Sequence, residues 1–432
     1  MEIAAAGFQV IGIDLDHNKI NTLKQGKSYI QDVPEKTIAE TVRSGKFTPT
    51  SDFSALANAD TVSICVPTPL SKSRDPDISF ILSATEEIRK YLHAGQLIVL
   101  ESTTYPGTTD ELIVPELETT GLKVGSDFFV AFSPERIDPG NVSFNTHNTP
   151  KIVGGITADC TEIARLFYSA FIQKVIPVSS TKCAEMVKLL ENTFRSVNIG
   201  MVNELAMMCD LLGVDVYEVI DAAATKPFGF SAFYPGPGLG GHCIPIDPHY
   251  LAWKLKALNF QARFIGLAAE INGMMPSVVA TMVADGLNRN SKSIRGSKIM
   301  ILGVAYKRDV SDCRESPALD VMRLLSDKGA LLSYNDPMVP TLRLGGSVLN
   351  SVEASAAEIA KQDCVIIITD HTVYNVEQIV EAAKLVIDTR NSTKHLHGYK
   401  DRIIKLGAGN NVPSSSAHDD EHDVMPARAV AR

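Results

Sequence analysis

The sequence predicts an α/β protein in which two doubly wound domains are joined by a long central helix. Short runs of β-branched residues alternate with helical patterns in the first part of the chain and again in the last part. Between them lies a helical stretch longer than one small domain needs. The chain has 432 residues, of which 45% are hydrophobic and 21% are charged. This length and composition suit about two to four domains with substantial cores and exclude a disordered chain.

The charge balance argues against two classes of partner. Lysine and arginine total 41 against 50 aspartate and glutamate, a net charge of −9, whereas binders of nucleic acids or anionic membranes need a basic face. No apolar run approaches the roughly 18 residues of a membrane span, and the first residues lack the basic flank of a signal peptide. We therefore expect a cytoplasmic protein with no nucleic-acid or membrane partner.

The first alternation predicts a parallel sheet covered by helices on both faces. Its strand-like runs are FQVIGID, TVSICVP, LIVLEST, FFVAFSP and KVIPVSS. A Rossmann domain carries a glycine-rich loop after its first strand and, about 20 residues later, an acidic residue that binds ribose hydroxyls. Asp14 ends a strand and suits the second role, but no G-x-G-x-x-G precedes it. MEIAAAGF instead resembles the end of the first helix, with Gly7 as its cap.

Residues 1–180 are thus expected to form a Rossmann-like, dinucleotide-binding domain that lacks its first strand and glycine loop. Either truncation of the chain or a misassigned start codon would explain this. Without the loop, the pyrophosphate of the cofactor loses its backbone N–H donors, so we expect reduced affinity for the cofactor.

A long helix is predicted from Cys183 to about Leu212, because apolar residues recur there at steps of three and four. They are Val187, Leu190, Phe194, Val197, Met201, Leu205, Met208 and Leu212. About 30 residues at 1.5 Å each give roughly 45 Å, so the helix should span two domains. It should also supply the face of a homodimer or higher homo-oligomer. With a second helical region over about 250–287, it defines a central domain, residues 181–290.

The polar stretch NRNSKSIRGS then suits a linker, and the alternation restarts with KIMILGVAY, ALLSYND, CVIIITD and LVIDTR. Ser316 as N-cap, Pro317 at the first helical position and Gly329 as terminator define one of the new helices. Residues 291–409 are predicted to form a second open, Rossmann-like α/β domain. The polar and aperiodic residues 410–432 are predicted to be a disordered tail.

Cys243 stands apart from the other cysteines, which are scattered and form no C-x-x-C pair. It lies in FYPGPGLGGHCIPIDPHY, where glycines and prolines prevent a regular element and let the backbone approach a ligand. We expect backbone N–H groups there to favour the thiolate of a nucleophile. Cys183, at the N-terminus of the long helix, is a rival candidate without the glycine-rich frame. His242, Asp247 and His249 lack zinc-ligand spacing, so no metal is expected.

Six further motifs lie along the chain: VPTP (66–69), ESTTYPGTT (101–109), SPERIDPG (133–140), KLLEN (188–192), GVAYKRDVSDCRESP (303–317) and VIDTRN (386–391). Together with the stretch from Lys226 to Trp253, they resemble the UDP-glucose/GDP-mannose dehydrogenase superfamily. The motifs are most similar to those of bacterial UDP-N-acetylglucosamine 6-dehydrogenases. The likeness extends from Asp14 to about Leu406, and the order and spacing of the motifs make it specific.

The resemblance implies a reaction. Members of this family oxidise C6 of a nucleotide sugar from alcohol to carboxylate and consume two NAD+. By this resemblance the cofactor is NAD and the partner is a UDP-sugar substrate. Cys243 would add to the intermediate aldehyde to give a thiohemiacetal, and a second hydride transfer would leave a thioester for water to cleave.

The resemblance also implies roles for individual positions. The catalytic set is Cys243, Lys188, Asn192, Asp247, Glu135 and Thr103. The cofactor-binding set is Asp14, Val66, Pro67, Thr68, Ser102 and Thr103. The substrate-binding set is Glu135, Lys188, Asn192, Tyr234, Gly240, Lys307 and Arg390. Lys188 and Asn192 stand at i and i+4 on one helix face and would stabilise an oxyanion. Asp247 or Glu135 would position or deprotonate the water that Thr103 orders.

In the last domain, Lys307 would bind the carboxyl side of the sugar and the phosphates, and the planar fork of Arg390 would bind phosphate oxygens. Arg314 and Asp309 are expected instead to hold their loop together.

One position limits the choice among possible sugar substrates. UDP-glucose members carry a second acid four residues after the position of Glu135, where this chain has Pro139. The favoured hypothesis is oxidation of UDP-N-acetylglucosamine for surface polysaccharide synthesis, with UDP-N-acetylmannosamine, UDP-N-acetylgalactosamine and UDP-glucose as alternatives. Two other classes stay open: a shortened chain that only binds UDP-sugar, and an aldehyde dehydrogenase that acts through Cys243 on free aldehydes.

Overall fold

The computed structural model describes residues 1–30, 33–71, 75–141, 143–399 and 401–409. The predicted tail, 410–432, lies outside the described residues. The predicted fold class is confirmed: two α/β units with largely parallel sheets are joined through a helix of 32 residues.

The strands of the first unit form two sheets. β1 (Val10–Ile13) and β2 (Phe47–Thr50) are a parallel pair. The second sheet has five strands in the order β3 (Thr61–Ile64), β4 (Leu97–Leu100), β5 (Phe129–Phe132), β6 (Lys151–Gly155) and β7 (Val175–Pro177). Within the described ranges no strand joins the β1–β2 pair to β3, and no glycine-rich loop precedes Asp14.

One strand corrects the expectation of a purely parallel sheet. β6, which was not predicted, pairs with β5 in the antiparallel sense. A parallel connection needs a long crossover, usually a helix, and the described residues of 133–150 contain none, so the chain reverses instead. The segment that reverses begins with the SPER motif.

Two of the six α-helices that the structure describes in this unit begin at a residue whose side chain caps the first turn. The helices are α1 (Glu2–Ala5), α2 (His17–Lys24), α3 (Glu35–Arg43), α4 (Ser79–Tyr91), α5 (Val114–Glu118) and α6 (Ala158–Ser169). The two capped helices are α2 and α6. Asp16 caps α2 by accepting the N–H groups of Asn18 and Lys19. Gly7, with φ of 101°, follows α1 as predicted.

The central helix α7 (Thr181–Leu212) begins at the Ser180 cap and ends at Gly213, which has φ of 73°. It is followed by α8 (Val216–Ala224), α9 (Asp247–Lys256) and α10 (Arg263–Arg289). The second predicted helical region is therefore two helices. α10 packs along α7, and a Cβ on Gly200 would lie 3.2 Å from the Cα of Ala268.

The burial of α7 differs from the predicted pattern. Of the predicted apolar stripe, five side chains are exposed in this chain: Leu190, Phe194, Met201, Met208 and Leu212. The buried face is formed mainly by small and polar side chains, among them Ala184, Ser196, Gly200, Asn203 and Ala206. Small residues occupy this face of α7 because α10 packs so closely against it that larger side chains would not fit.

α10 is long and apolar enough, by length and composition alone, to cross a membrane. No apolar run in the sequence predicted this property of α10. Its buried side chains pack against α7 and the last unit, as those of a core helix do.

The last unit contains a parallel sheet of five strands. Their order is β14 (Ile403–Lys405), β13 (Val386–Asp388), β12 (Cys364–Ile367), β8 (Lys298–Leu302) and β9 (Leu331–Asn335). A hairpin, β10 (Thr341–Leu344) and β11 (Ser347–Asn350), and the helices α11 (Pro317–Asp327), α12 (Ala356–Ala360) and α13 (Val376–Ala382) complete it. The Ser316 hydroxyl caps α11 as predicted, and Gly329 has φ of 87°.

Candidate active site

Most of the predicted site residues follow the carboxyl ends of strands. Val66–Thr68 follow β3, Ser102 and Thr103 follow β4, Glu135 follows β5, and Arg390 follows β13. In open α/β sheets this edge is where ligands bind.

α7 brings four of the predicted catalytic residues together. The Lys188 ammonium donates to the backbone carbonyl of Glu135, and the Asn192 amide donates to Asp247 Oδ2 at 2.5 Å. Asp247 is the first residue of α9, and its N–H donates to the Cys243 carbonyl at 2.8 Å. Lys188 and Asp247 are both buried. Two residues one helical turn apart thus hold the SPER loop and the segment after the cysteine.

The electrostatics of Cys243 correct the expectation that its loop favours the thiolate. Burial raises the pKa of the Cys243 thiol to about 11, and the Asp247 carboxylate adds to the rise. The cations Lys188 and Arg314 act in the opposite direction but do not compensate. The thiol is therefore protonated at neutral pH and needs a proton acceptor before it can attack carbon.

Asp247 is suited to accept that proton. Burial raises its pKa to about 7, although Lys188 and the hydrogen bond from Asn192 both favour the charged form. A carboxylate that titrates near neutrality can take up and release a proton at the working pH.

Glu135 and Thr103 are less closely connected to the cysteine. The Glu135 carboxylate is half exposed, accepts the N–H of Ile137 at 2.6 Å and lies 4.0 Å from Lys151 Nζ. In the part of the chain that the structure describes, no hydrogen bond joins Thr103 to the other predicted catalytic residues. Cys183, the rival nucleophile, lies in the first turn of α7 with its N–H bonded to the Ser180 hydroxyl.

The chemistry of the donor set fits the ribose and nicotinamide ends of a dinucleotide. Asp14 follows β1, and the N–H of Asp16 and the Lys19 ammonium lower its pKa against the effect of burial, so it presents an ionised acceptor to hydroxyls. The Ser102 hydroxyl accepts the N–H of Val66 at 2.8 Å and so fixes the VPTP loop. Tyr250 donates to the Thr68 carbonyl at 2.8 Å.

Residues of the last domain contact the loop after β5, which carries Glu135. Lys307 donates to Asp138 at 2.7 Å and to the Pro139 carbonyl at 2.9 Å, so it is engaged with the loop after β5. Arg390 Nε donates to the Ile368 carbonyl at 2.9 Å.

Two predicted substrate residues lie in the segment before the cysteine. Tyr234 donates to Asp221 at 2.6 Å. A Cβ on Gly240 would lie 2.7 Å from Tyr306 Cβ, so only glycine lets this segment pass the GVAYK loop.

Two neighbours of the site were not among the predicted site residues. Arg314 pairs with Asp312 and holds its loop, as expected, but its Nη2 also lies 3.3 Å from His242 Nδ1, beside the cysteine. Tyr250 joins α9 to the VPTP loop through its hydrogen bond to Thr68. The only sequence signal for this role is its position seven residues after Cys243. Among the described residues no group of three or more His, Cys, Asp or Glu side chains could hold a metal ion.

Comparison with known proteins agrees with this arrangement. Three family models of the UDP-glucose/GDP-mannose dehydrogenases match in order: the NAD binding domain at residues 1–172, the central domain at 182–274 and the UDP binding domain at 300–395. A UDP-N-acetyl-D-mannosamine dehydrogenase of Methanococcus maripaludis is 33% identical over 94% of this chain and 93% of its own length. The chain belongs to the UDP-glucose/GDP-mannose dehydrogenase family.

The relatives of this chain are named for different sugars. A UDP-N-acetyl-D-glucosamine 6-dehydrogenase of Pseudomonas aeruginosa is 32% identical over 76% of this chain and 78% of its own length. The solved structure of the UDP-D-ManNAc dehydrogenase from Pyrococcus horikoshii is 32% identical, with a TM-score of 0.85 over 94% of this chain and 96% of that one. The chain is thus an NAD-dependent oxidoreductase of the UDP-sugar dehydrogenase family.

Proposed function

We propose that the protein oxidises C6 of a UDP-N-acetylhexosamine, with UDP-N-acetylglucosamine as the first candidate, from alcohol to carboxylate. The observation that carries this proposal is the group formed by Lys188, Asn192, Asp247 and Cys243, in which Lys188 and Asp247 are buried. It combines a nucleophile, a proton acceptor of matched pKa and two donors for an oxyanion.

The loops around Asp14, Val66–Thr68 and Ser102 would hold NAD+, which would supply the hydride acceptor for each of the two oxidations of C6; in the first of them the C6 hydroxyl also gives up its proton. In the covalent step the Cys243 sulfur bonds to the aldehyde carbon and the thiol proton passes to Asp247. The aldehyde oxygen becomes an oxyanion that Lys188 and Asn192 stabilise. The oxyanion then expels a second hydride from C6, which leaves a thioester, and Asp247 releases the thiol proton to solvent. In the last step water attacks the thioester carbon and gives a proton to Asp247, and the C–S bond breaks to leave a thiolate that takes this proton from Asp247.

Pro139 supports an acetamido sugar, because it stands where the family's UDP-glucose members carry an acid. UDP-N-acetylmannosamine is the second candidate, since proteins named for this substrate are among the relatives by both sequence and structure. We propose surface polysaccharide synthesis as the use of the product and the cytoplasm as the place of the reaction.

The domain roles are part of the same proposal. Residues 1–180 would bind NAD, 181–290 would carry the catalytic and dimerisation surfaces, and 291–409 would bind UDP. The exposed apolar stripe of α7 supports assembly into a homodimer or higher homo-oligomer.

A panel of UDP-sugars with NAD+ tests the proposal. We expect the fastest turnover with UDP-N-acetylglucosamine and two NADH per sugar. We expect Cys243→Ser to stop acid formation while aldehyde accumulates, and Cys183→Ser, the matched control, to keep wild-type stoichiometry. One NADH per sugar in the wild type, or normal acid formation by Cys243→Ser, would refute the thioester scheme. UDP binding without any turnover would favour the non-catalytic alternative.

A further inference from the structure

Tyr217 carries a buried hydroxyl that the protein itself does not satisfy. The residue lies in α8 and is 4% exposed, yet its hydroxyl has no hydrogen-bond partner among the described residues. Two other buried tyrosines behave differently: Tyr334 donates to the Val339 carbonyl and Tyr250 to the Thr68 carbonyl. Since a buried hydroxyl without a partner costs free energy, an orphan of this kind points to a ligand atom that satisfies it.

The surroundings of Tyr217 indicate what that ligand is. Lys405 Nζ lies 5.6 Å from the centre of its ring and donates to Asn391 Oδ1 at 3.0 Å. The ring of Tyr234 also stacks on the Tyr217 ring, with 6.2 Å between the ring centres and an interplanar angle of 14°. Tyr217 is therefore enclosed between the DTRN loop of the last domain and the segment that leads to the catalytic cysteine.

Arg390 lies at the same junction. A Cβ on Gly236, two residues after Tyr234, would lie 2.5 Å from Arg390 Nη1. The Nε group is bonded to a carbonyl, but neither Nη group has an acceptor in the part of the chain that the structure describes. Burial lowers the pKa of Arg390, and the nearby Asp388 carboxylate, which acts in the opposite direction, does not compensate. An anion bound here would satisfy the free side of the guanidinium.

We propose that Tyr217 is a nucleotide-recognition residue whose hydroxyl donates a hydrogen bond to an acceptor oxygen of UDP beside Arg390. This inference rests on the proposed function, because it assumes that UDP binds at Arg390. Burial raises the pKa of Tyr217 well above the neutral range, so the group is a donor at every working pH. An acceptor oxygen of the nucleotide would give the Tyr217 hydroxyl the hydrogen-bond partner that the described residues do not supply.

The test is Tyr217→Phe in the full chain, with UDP as the probe in calorimetry. We expect UDP to bind about tenfold more weakly, the effect of one lost hydrogen bond. The melting temperature without ligand should be unchanged or higher, because the variant loses no internal bond. The matched control is Tyr334→Phe, which loses a bond to Val339. It should melt at a lower temperature and bind UDP like the wild type.

The outcomes separate this inference from the proposed function. Equal UDP affinity of the wild type and Tyr217→Phe would overturn the role of Tyr217 and leave the proposed function standing. A lower melting temperature without ligand would also overturn it, because the hydroxyl would then have an internal partner. A wild-type chain that does not bind UDP would overturn both.

Discussion

Asp247 and Cys243 are one helical turn apart, and burial acts on both in the same direction. It raises the pKa of the carboxyl to about 7 and that of the thiol to about 11. The carboxyl group is thus the stronger acid of the two, and at neutral pH the stable arrangement is a protonated thiol beside a partly ionised Asp247. Transfer of the thiol proton becomes favourable only as the sulfur bonds to the substrate carbon, which protects the thiol from side reactions.

This pair predicts a pH dependence of catalysis. Asp247 accepts a proton only when ionised, so acid formation should rise as the pH increases through about 7. We expect Asp247→Asn to lose this limb of the profile and to form acid at least about 100-fold more slowly, the usual contribution of a general base. Turnover against pH for both proteins measures it. A wild-type profile that is flat from pH 5.5 to 8.5 would contradict the assignment.

The same residue predicts an effect on stability. Its folded pKa, about 7, lies above the unfolded value of 3.8, so folding binds a proton between these values and wild-type stability falls as the pH rises through them. The Asp247→Asn variant carries no such charge. Its free energy of unfolding should therefore rise relative to that of the wild type as the pH increases to about 7, by at most about 4 kcal/mol at about 1.4 kcal/mol per pKa unit. Urea unfolding at pH 5 and pH 8 measures this; an equal difference at both would contradict it.

At this scale the sequence predicts neighbours better than charge states. The i, i+4 spacing correctly places Lys188 and Asn192 on one face, because helix geometry is local. The protonation of Cys243 was predicted in the wrong direction, because it depends on burial by residues distant in the chain. The orphan hydroxyl of Tyr217 depends on two domains at once and has no sequence signal.

Among the secondary-structure elements, α7 is joined by hydrogen bonds to the loop after β4. The buried carboxylate of Glu185, one turn before Lys188, accepts the N–H of Gly107 at 2.5 Å. It also accepts the N–H of Thr109 at 3.0 Å and its hydroxyl at 2.7 Å. Three donors on one carboxylate hold the loop that carries Thr103 in register with the catalytic face of the helix.

We therefore predict that Glu185→Gln destabilises the protein by about 1–3 kcal/mol, because an amide N–H would face a backbone donor. Acid formation should slow as the Thr103 loop shifts. Glu204→Gln on the same helix is the control, because the side chain of Glu204 makes no hydrogen bond or ion pair within the described ranges. Thermal unfolding and turnover measure both; equal stability of the two variants would contradict the role of Glu185.

The strands show which sequence patterns are sufficient to predict an element. Long apolar runs correctly predict β3, β4, β5, β8 and β12, because strands buried on both faces have this composition. The missed strands, β2, β6, β14 and the β10–β11 hairpin, are short or contain glycine, proline or charged residues. Their pairing comes from neighbours in the sheet rather than from their own composition.

At the scale of the whole molecule, α7 has two faces with different roles. The face of small residues packs against α10, whereas Leu190, Phe194 and Met201 are exposed although they form the predicted apolar stripe. Periodicity shows that a stripe exists but does not tell whether it packs inside the chain or against a second copy. An exposed apolar stripe along a helix of 32 residues is a large surface for a soluble monomer to leave in water.

We predict that a second copy of the chain covers this stripe. Leu190→Glu combined with Met201→Glu should convert the wild-type dimer or higher oligomer into a monomer, because each buried glutamate would cost several kcal/mol. Val348→Glu is the control, because Val348 is equally apolar and 61% exposed but lies on the distant β10–β11 hairpin. Light scattering after size-exclusion chromatography gives the mass of each species. A monomeric wild type, or a double variant that keeps the wild-type mass, would show that α7 faces water in the working enzyme.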